Sequence, residues 1–152
     1  DLIQQHDFRN IRIRREYQPS IPRIKGVATE LEQVFINIFR NASYAMSELP
    51  AKNRPPSQMT ITVNHHNDSL KIIVTDNGPG MPESVRQHVF DPFFTTKQNG
   101  QGAGLGLSVA YAIIVNEHKG TIAVDSQLGK GTSICIELPL DLTTTHTDKP
   151  AL

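Results

Sequence analysis

Hydrophobic and polar residues alternate in five short stretches of the chain, and this period of two is typical of half-buried β-strands. Asn67 and Asp68, between the second and third stretches, predict a hairpin turn. Gly129 and Gly131 predict another turn between the last two. The five predicted strands are NIRIRREY (10–17), MTITVNHH (59–66), SLKIIVTD (69–76), TIAVDS (121–126) and TSICIEL (132–138).

Apolar residues between these strands recur at helical spacing. A long amphipathic helix is predicted before Pro50, with Thr29 and Glu32 as a capping box at its start. The segment PESVRQHVF predicts a short helix, and a glycine-rich loop at 97–106 precedes a third helix that ends near His118. Strands and helices that do not strictly alternate predict an α+β fold, a mixed sheet with helices on one face.

Length and composition narrow the class of protein. A chain of 152 residues with 38% hydrophobic content suits one domain. Fifteen basic and fifteen acidic residues cancel without a long basic run, so nucleic acid is not an expected partner. The apolar segment at 109–115 is far shorter than the roughly 20 residues of a membrane helix. We expect a cytoplasmic fragment without membrane contact, in which the single Cys135 is a small buried residue.

The segment INIFRNASYAM places Asn37 and Asn41 four positions apart in the long predicted helix. This spacing puts two side-chain amides on one helix face, within reach of a common ligand. Asparagine also bonds local backbone groups or faces solvent, which is the alternative. An asparagine carbonyl oxygen is an acceptable ligand for Mg²⁺.

Two glycine-containing segments have similar alternatives. DNGPGMP is either a tight turn or a site at which Asp76 accepts a hydrogen bond from an amino group such as that of adenine. GQGAGLGLS is either a surface loop or a phosphate site, since a loop that leads into a helix N-terminus presents backbone N–H groups. Its glycine spacing matches neither the dinucleotide nor the P-loop pattern. Lys97 just upstream could add a positive charge.

Together and in this order, the segments resemble the ATP-binding catalytic domain of sensor histidine kinases, in the superfamily that includes DNA gyrase, Hsp90 and MutL. QVFINIFRNASYAM resembles the N box, DNGPGMP the G1 box, FDPFFTTK the F box, GAGLGLS the G2 box and GKGT the last glycine motif. The resemblance covers 10–140 and implies a Bergerat-type ATP-binding fold, a two-layer α/β sandwich. It makes 1–9 the end of a linker helix. The segment 141–152 is rich in threonine and is expected to be a flexible tail.

The resemblance also implies an ATP and Mg²⁺ site. Asn41 would bind the metal, Asn37 would lie beside the phosphates, and Asp76 would bind the adenine amino group with Thr132 nearby through a water. The other implied nucleotide-binding positions are Tyr44, Gly78, Gly80, Met81, Lys97, Gly102, Gly104, Leu105, Gly106 and Leu107.

Tyr44 departs from the pattern of the family. Many members have a lysine three positions after the second asparagine, where it helps to hold a phosphate. Lys97 lies in the implied mobile lid between the F and G2 boxes and is a candidate to compensate. A residue from elsewhere in the protein, or a weaker affinity for phosphate, is the alternative.

The resemblance also distinguishes kinases from hydrolases. Hydrolysing members place a water-activating glutamate where Asn37 stands. Its absence favours transfer to a histidine, because a neutral imidazole already has a lone pair. His6 superficially resembles an acceptor, but a strand and two prolines follow within sixteen positions, so an acceptor hairpin has no room.

The expected partners are therefore a histidine phosphoacceptor and dimerisation domain of the same parent protein and a downstream response regulator. The isolated chain is expected to be monomeric, and the parent protein can be membrane-anchored. Two alternatives remain open: a serine kinase of the anti-sigma-factor type, and a non-catalytic module that docks on a partner according to ATP occupancy.

Overall fold

A five-stranded mixed sheet forms one layer of the fold. The structure is a computed structural model that describes residues 10–50, 52, 55–97 and 104–140. The strands are β1 (Arg12–Tyr17), β2 (Gln58–His66), β3 (Ser69–Asp76), β4 (Thr121–Gln127) and β5 (Gly131–Pro139). Their order is β1-β2-β3-β5-β4, with β1 parallel to β2 and every other neighbouring pair antiparallel. All five predicted strands and both predicted hairpins are confirmed.

Helices form the second layer. They are α1 (Ala28–Ser47), α2 (Glu83–Arg86) and α3 (Gly106–Ala112), and α3 continues as a π-helical segment, Ile113–Glu117. The predicted end of α3 near His118 is confirmed, whereas α2 is shorter than predicted. No helix in the described ranges is both long and apolar enough to cross a bilayer. The linker helix predicted at 1–9, the tail at 141–152 and most of the implied lid lie outside the described residues.

The core lies between one face of the sheet and helices α1 and α3. Alternate residues of the strands point into it, as the period of two requires, and meet the apolar stripe of α1. The largest fully buried side chains are Val34, Ile38, Met46, Met59, Ile114, Ile136 and Leu138. The α+β two-layer fold with helices on one face is therefore confirmed.

Cys135 lies on the other face of the sheet, between its register partners Ile73 and Ala123. Its neighbours along β5, Ile134 and Ile136, point into the core, so Cys135 must point away from it. It is only partly buried, so the expected buried position is wrong. Partial burial raises the pKa of its thiol.

The start of α1 is fixed by a distant residue. The predicted capping box is wrong, because Thr29 lies inside the helix. The N-cap residue is Val27, which forms no side-chain capping hydrogen bond. The Val27 amide instead donates to Nε2 of His118 at 3.1 Å. Nδ1 of His118 lies 3.0 Å from the carbonyl oxygen of Ile113, which can only accept, so Nδ1 carries the proton. One imidazole thus joins the start of α1 to the end of the α3 helix.

Candidate functional site

A cleft of about 490 Å³ opens beside α1, between the segment that follows β3 and the start of α3. Three segments that are far apart in sequence meet there. Asp76 and Gly78 are buried next to the cleft without lining it, and Gly102 lies outside the described residues. The predicted site residues that line the cleft are Asn37, Asn41, Tyr44, Gly80, Met81, Lys97, Gly104, Leu105, Gly106, Leu107 and Thr132.

Asp76 ends β3 as a buried carboxylate, 7% exposed. Its Oδ1 accepts a hydrogen bond from the Gly78 amide at 2.8 Å, and its carboxylate also accepts from the backbone of its strand partner Thr132. Desolvation raises the pKa of Asp76, and the two backbone donors partly oppose that rise. A carboxylate has about four lone-pair sites, so Asp76 can still accept from a ligand.

Ser126 orients the residues around Asp76, and the sequence analysis missed it. Its Oγ accepts from the Met81 amide at 3.0 Å and lies 3.0 Å from the carbonyl oxygen of Gly131 and 2.9 Å from Oγ1 of Thr132. The Gly131 oxygen can only accept, so Ser126 donates to it and the Thr132 hydroxyl donates to Ser126. The strand register of the predicted second hairpin could have indicated Ser126, because it lies opposite Thr132 there.

Two glycines bring the segment after β3 against the β4–β5 turn. Gly80 has φ of 65° and Gly131 has φ of 93°, both in the left-handed region. A Cβ on Gly80 would lie 2.0 Å from the carbonyl oxygen of Gln127, and one on Gly131 would lie 2.0 Å from that of Asp76. The turns therefore pack backbone against backbone, which fixes the wall next to Asp76 and Thr132.

The two asparagines line the same cleft and have different partners. Asn37 donates from Nδ2 to the carbonyl oxygen of Gly106 at 2.9 Å and accepts at Oδ1 from Nε2 of Gln33 at 3.0 Å. Asn41 accepts at Oδ1 from the Lys97 ammonium at 3.0 Å. Asn37 thus ties α1 to the start of α3, while the Asn41 oxygen faces a cation.

Lys97 and Tyr44 also meet in the cleft. The Lys97 Nζ atom lies 4.6 Å from the centroid of the Tyr44 ring, within range of a cation–π interaction. Desolvation lowers the pKa of Lys97. The lysine implied as compensation for Tyr44 therefore lies directly against that residue.

The donor set of the cleft fits Mg²⁺. The described residues contain no group of three or more His, Cys, Asp or Glu side chains that could hold a metal ion. The Asn37 oxygen is engaged by Gln33, whereas the Asn41 oxygen already accepts from a cationic group. Mg²⁺ keeps several waters and takes further oxygen ligands from phosphates, so a single protein oxygen is enough.

A second hollow, of about 800 Å³, lies at the opposite end of the sheet. It is lined by residues of the Asn67 turn, the segment around Lys119 and the end of β5, and by none of the predicted site residues. Among the described residues, the predicted site residues that line either cavity are therefore all found in the cleft beside α1.

Exposed apolar side chains flank the cleft. Phe93 is 74% exposed with φ of 64°, and its backbone lies against Gly104 at the start of the G2 segment. Leu105 and Val109, which lie one turn apart at the start of α3, are also exposed. Exposed apolar side chains grouped beside a site often mark a contact surface for another protein.

Comparisons with known proteins agree on one family. The family model described as histidine kinase-, DNA gyrase B- and HSP90-like ATPase matches residues 26–142. The sensory histidine kinase/phosphatase NtrB of Rhizobium leguminosarum bv. phaseoli is 39% identical over 86% of this chain and 36% of its own. Sporulation kinase A of Bacillus subtilis is 37% identical over 91% of this chain and 21% of its own. The chain thus spans roughly a fifth to a third of these relatives.

Solved structures give the same result. The catalytic domain of histidine kinase ThkA has a TM-score of 0.71 and 33% identity, with 86% of this chain and 79% of that chain covered. A crystal structure of ThkA in complex with the response regulator protein TrrA has a TM-score of 0.68 and 30% identity, with 86% of this chain and 34% of that chain covered.

Proposed function

Since the chain belongs to the histidine kinase-, DNA gyrase B- and HSP90-like ATPase family as a histidine kinase catalytic domain, we propose that it binds Mg-ATP and transfers the γ-phosphoryl group to a histidine of a separate phosphoacceptor and dimerisation domain. The carrying observation is that three segments with nucleotide-binding chemistry meet in one cleft. In two-component signalling, a response regulator would then receive the phosphoryl group.

The adenine end of the proposed site is formed by Asp76 and Thr132. The carboxylate of Asp76 would accept a hydrogen bond from the adenine amino group. Its low solvent exposure strengthens such a bond and makes an unpaired amino group costly. The Thr132 hydroxyl donates its hydrogen bond to Ser126, so Oγ1 of Thr132 keeps lone pairs for a bridging water.

The phosphate end is formed by the start of α3 and by Lys97. The first amides of a helix have no acceptor within the helix and carry a positive partial charge, which suits phosphate oxygens. Asn41 Oδ1 would hold Mg²⁺, which when bound neutralises phosphate charge. Phosphoryl transfer depends mainly on such positioning and neutralisation.

Asn37 supports transfer over hydrolysis. Both ends of its amide are engaged, by Gly106 and Gln33, and an amide is not a proton acceptor for water. Glu48 is the one carboxylate that lines the described part of the cleft, and it pairs with the Tyr44 hydroxyl. The described lining of the cleft therefore lacks an oriented base for water, whereas a histidine acceptor needs none.

The partner proposals rest on the mouth of the cleft and on the comparisons. The exposed side chains of Phe93, Leu105 and Val109 offer a contact surface for the acceptor domain beside the phosphate end. The relative ThkA is known in complex with a response regulator, which supports such a partner for the parent protein. We further propose that the isolated chain is a cytoplasmic monomer that contacts neither nucleic acid nor membrane.

A transfer assay tests the proposal. Mg-ATP labelled at the γ-phosphate is added to this chain and to a separately prepared acceptor hairpin from the same parent protein. Label on the hairpin that is stable in base and lost in acid supports a histidine kinase. Label with the opposite stability indicates a serine kinase. ATP binding without any transfer indicates a docking module, and rapid ATP turnover by the chain alone contradicts the interpretation of Asn37.

A further inference from the structure

Lys97 holds the oxygen that is proposed to bind the metal. We propose that Lys97 is a resident counter-cation of the nucleotide site. In the free protein its ammonium bonds Oδ1 of Asn41, and it stabilises bound ATP when no metal is present. When Mg²⁺ binds the Asn41 oxygen, the ammonium is displaced towards the phosphates. This inference rests on the proposed function, because it assumes that the cleft binds a nucleotide through Asn41.

The first argument is geometric. The Lys97 ammonium lies 3.0 Å from Asn41 Oδ1 and 4.6 Å from the centroid of the Tyr44 ring. Its backbone amide bonds Oγ1 of Thr95 at 3.1 Å, which anchors the base of the side chain. The contact joins positions 56 residues apart, so it is a tertiary contact between the F-box segment and α1.

The second argument concerns charge. Lys97 is half-buried, and its ammonium has three donors, one of which is used by Asn41. No carboxylate within the described ranges forms an ion pair with it. Glu48 lines the same cleft but pairs with the Tyr44 hydroxyl, and Arg40 adds another positive charge to the lining. A partly desolvated ammonium without a counter-charge favours an anionic ligand, and phosphate supplies one.

The third argument is competition for one atom. Mg²⁺ and an ammonium cannot share Asn41 Oδ1 at bonding distance, because two cations there would repel each other strongly. Without the metal, Lys97 can keep its bond to Asn41 and use its remaining donors for phosphate. With the metal, Lys97 must leave Asn41, and its four-carbon stem lets it move towards phosphate oxygens.

These states predict how the removal of Lys97 changes ATP affinity with and without Mg²⁺. The pattern differs from that of a residue that only contacts phosphate. Removing Lys97 should weaken the binding of metal-free ATP strongly, because the ammonium that bonds Asn41 is lost. It should weaken Mg-ATP less, because Mg²⁺ replaces that cation. A residue that only contacts phosphate would contribute similarly in both conditions.

Calorimetry of ATP binding, in Mg²⁺ and in excess EDTA, tests this pattern. One lost charge-assisted hydrogen bond predicts that Lys97→Met weakens metal-free ATP about tenfold or more and Mg-ATP about threefold or less. Lys97→Arg keeps the charge and should stay within about threefold of the unmodified chain in both conditions. Lys71→Met is the matched control, since Lys71 pairs with Glu137 on the outer face of the sheet.

The decisive quantity is the dissociation constant for ATP in EDTA divided by the dissociation constant for Mg-ATP. A ratio that rises in Lys97→Met and not in Lys71→Met supports the inference. Equal weakening in both conditions, or no weakening in either, overturns it. Failure of the unmodified chain to bind Mg-ATP, or full binding by Asp76→Ala, would instead overturn the proposed nucleotide site, so the two failures are distinguishable.

Discussion

Asp76 and the two asparagines are polar residues whose surroundings suggest their proposed roles. Asp76 is 7% exposed and keeps two backbone donors, so it remains a hydrogen-bond acceptor despite burial. Asn37 is bonded at both ends of its amide, whereas Asn41 presents its oxygen to a cation. Two asparagines four positions apart therefore have different proposed roles, because their hydrogen-bond partners differ.

Replacement of Asp76 tests the adenine end of the site. Asp76→Ala should lower ATP affinity below detection, because the adenine amino group would lose its acceptor in a desolvated position. Calorimetry measures the affinity. Asp68→Ala, in the first hairpin turn at the other end of the sheet, is the matched control and should bind normally. Unchanged affinity in Asp76→Ala would exclude this residue from base recognition.

The buried carboxylate also predicts a pH dependence of stability. The pKa of Asp76 is raised on folding, so the folded state binds more protons than the unfolded state between the two pKa values. As the pH falls from neutral through the raised pKa, the free energy of unfolding of the unmodified chain should rise relative to that of Asp76→Asn. Urea titrations of both proteins at several pH values measure the difference. Parallel curves would contradict the inferred cost of ionised Asp76.

At the scale of elements, the site depends on how turns and helix ends meet. The β4–β5 turn packs against the segment after β3 through Gly80 and Gly131. The entry of α1 is held by His118 from the end of the α3 helix. Secondary structure alone does not create the cleft, which requires these contacts between elements.

Gly129 and Gly131 allow strain and clash to be separated. Both have positive φ, but a Cβ on Gly129 would meet nothing within 4 Å, whereas one on Gly131 would lie 2.0 Å from the Asp76 carbonyl oxygen. Gly129→Ala should lower the free energy of unfolding by about 1–2 kcal/mol. Gly131→Ala should lower it by roughly 3 kcal/mol or more and weaken ATP binding. Equal losses in denaturant titrations would show that the close contact is unimportant.

At the scale of the whole molecule, the sheet and helices α1 and α3 enclose the core, and the cleft opens at one end of these layers. The exposed apolar residues lie beside that opening, and the second hollow lies at the far end. Under the proposed function, this arrangement would bring a docked acceptor domain close to the phosphate end of the site.

Replacement of Val109 tests the proposed docking surface. Val109→Glu should reduce transfer to the acceptor hairpin by about tenfold or more, as expected for a buried interface residue, with ATP affinity unchanged. Tyr17→Glu, an exposed aromatic position at the end of β1, is the control and should transfer normally. Equal transfer by both variants, or loss of ATP binding in Val109→Glu, would contradict docking through this surface.

The sequence by itself determined the order of strands and helices along the chain, because periodicity and turn residues such as Asn67 act locally. It also drew attention to the three segments that meet in the cleft, because glycines and asparagines are costly in regular elements unless something else compensates. The resemblance of these segments to a known family then implied many of the residues that line the cleft. Only the tertiary structure decided the start of α1 and the hydrogen bonds of Ser126 to Met81, Gly131 and Thr132. It also decided the outward position of Cys135 and the contact of Lys97 with Asn41. Each of these depends on a partner from another element or on the packing of the two layers, and a local pattern carries no information about such distances.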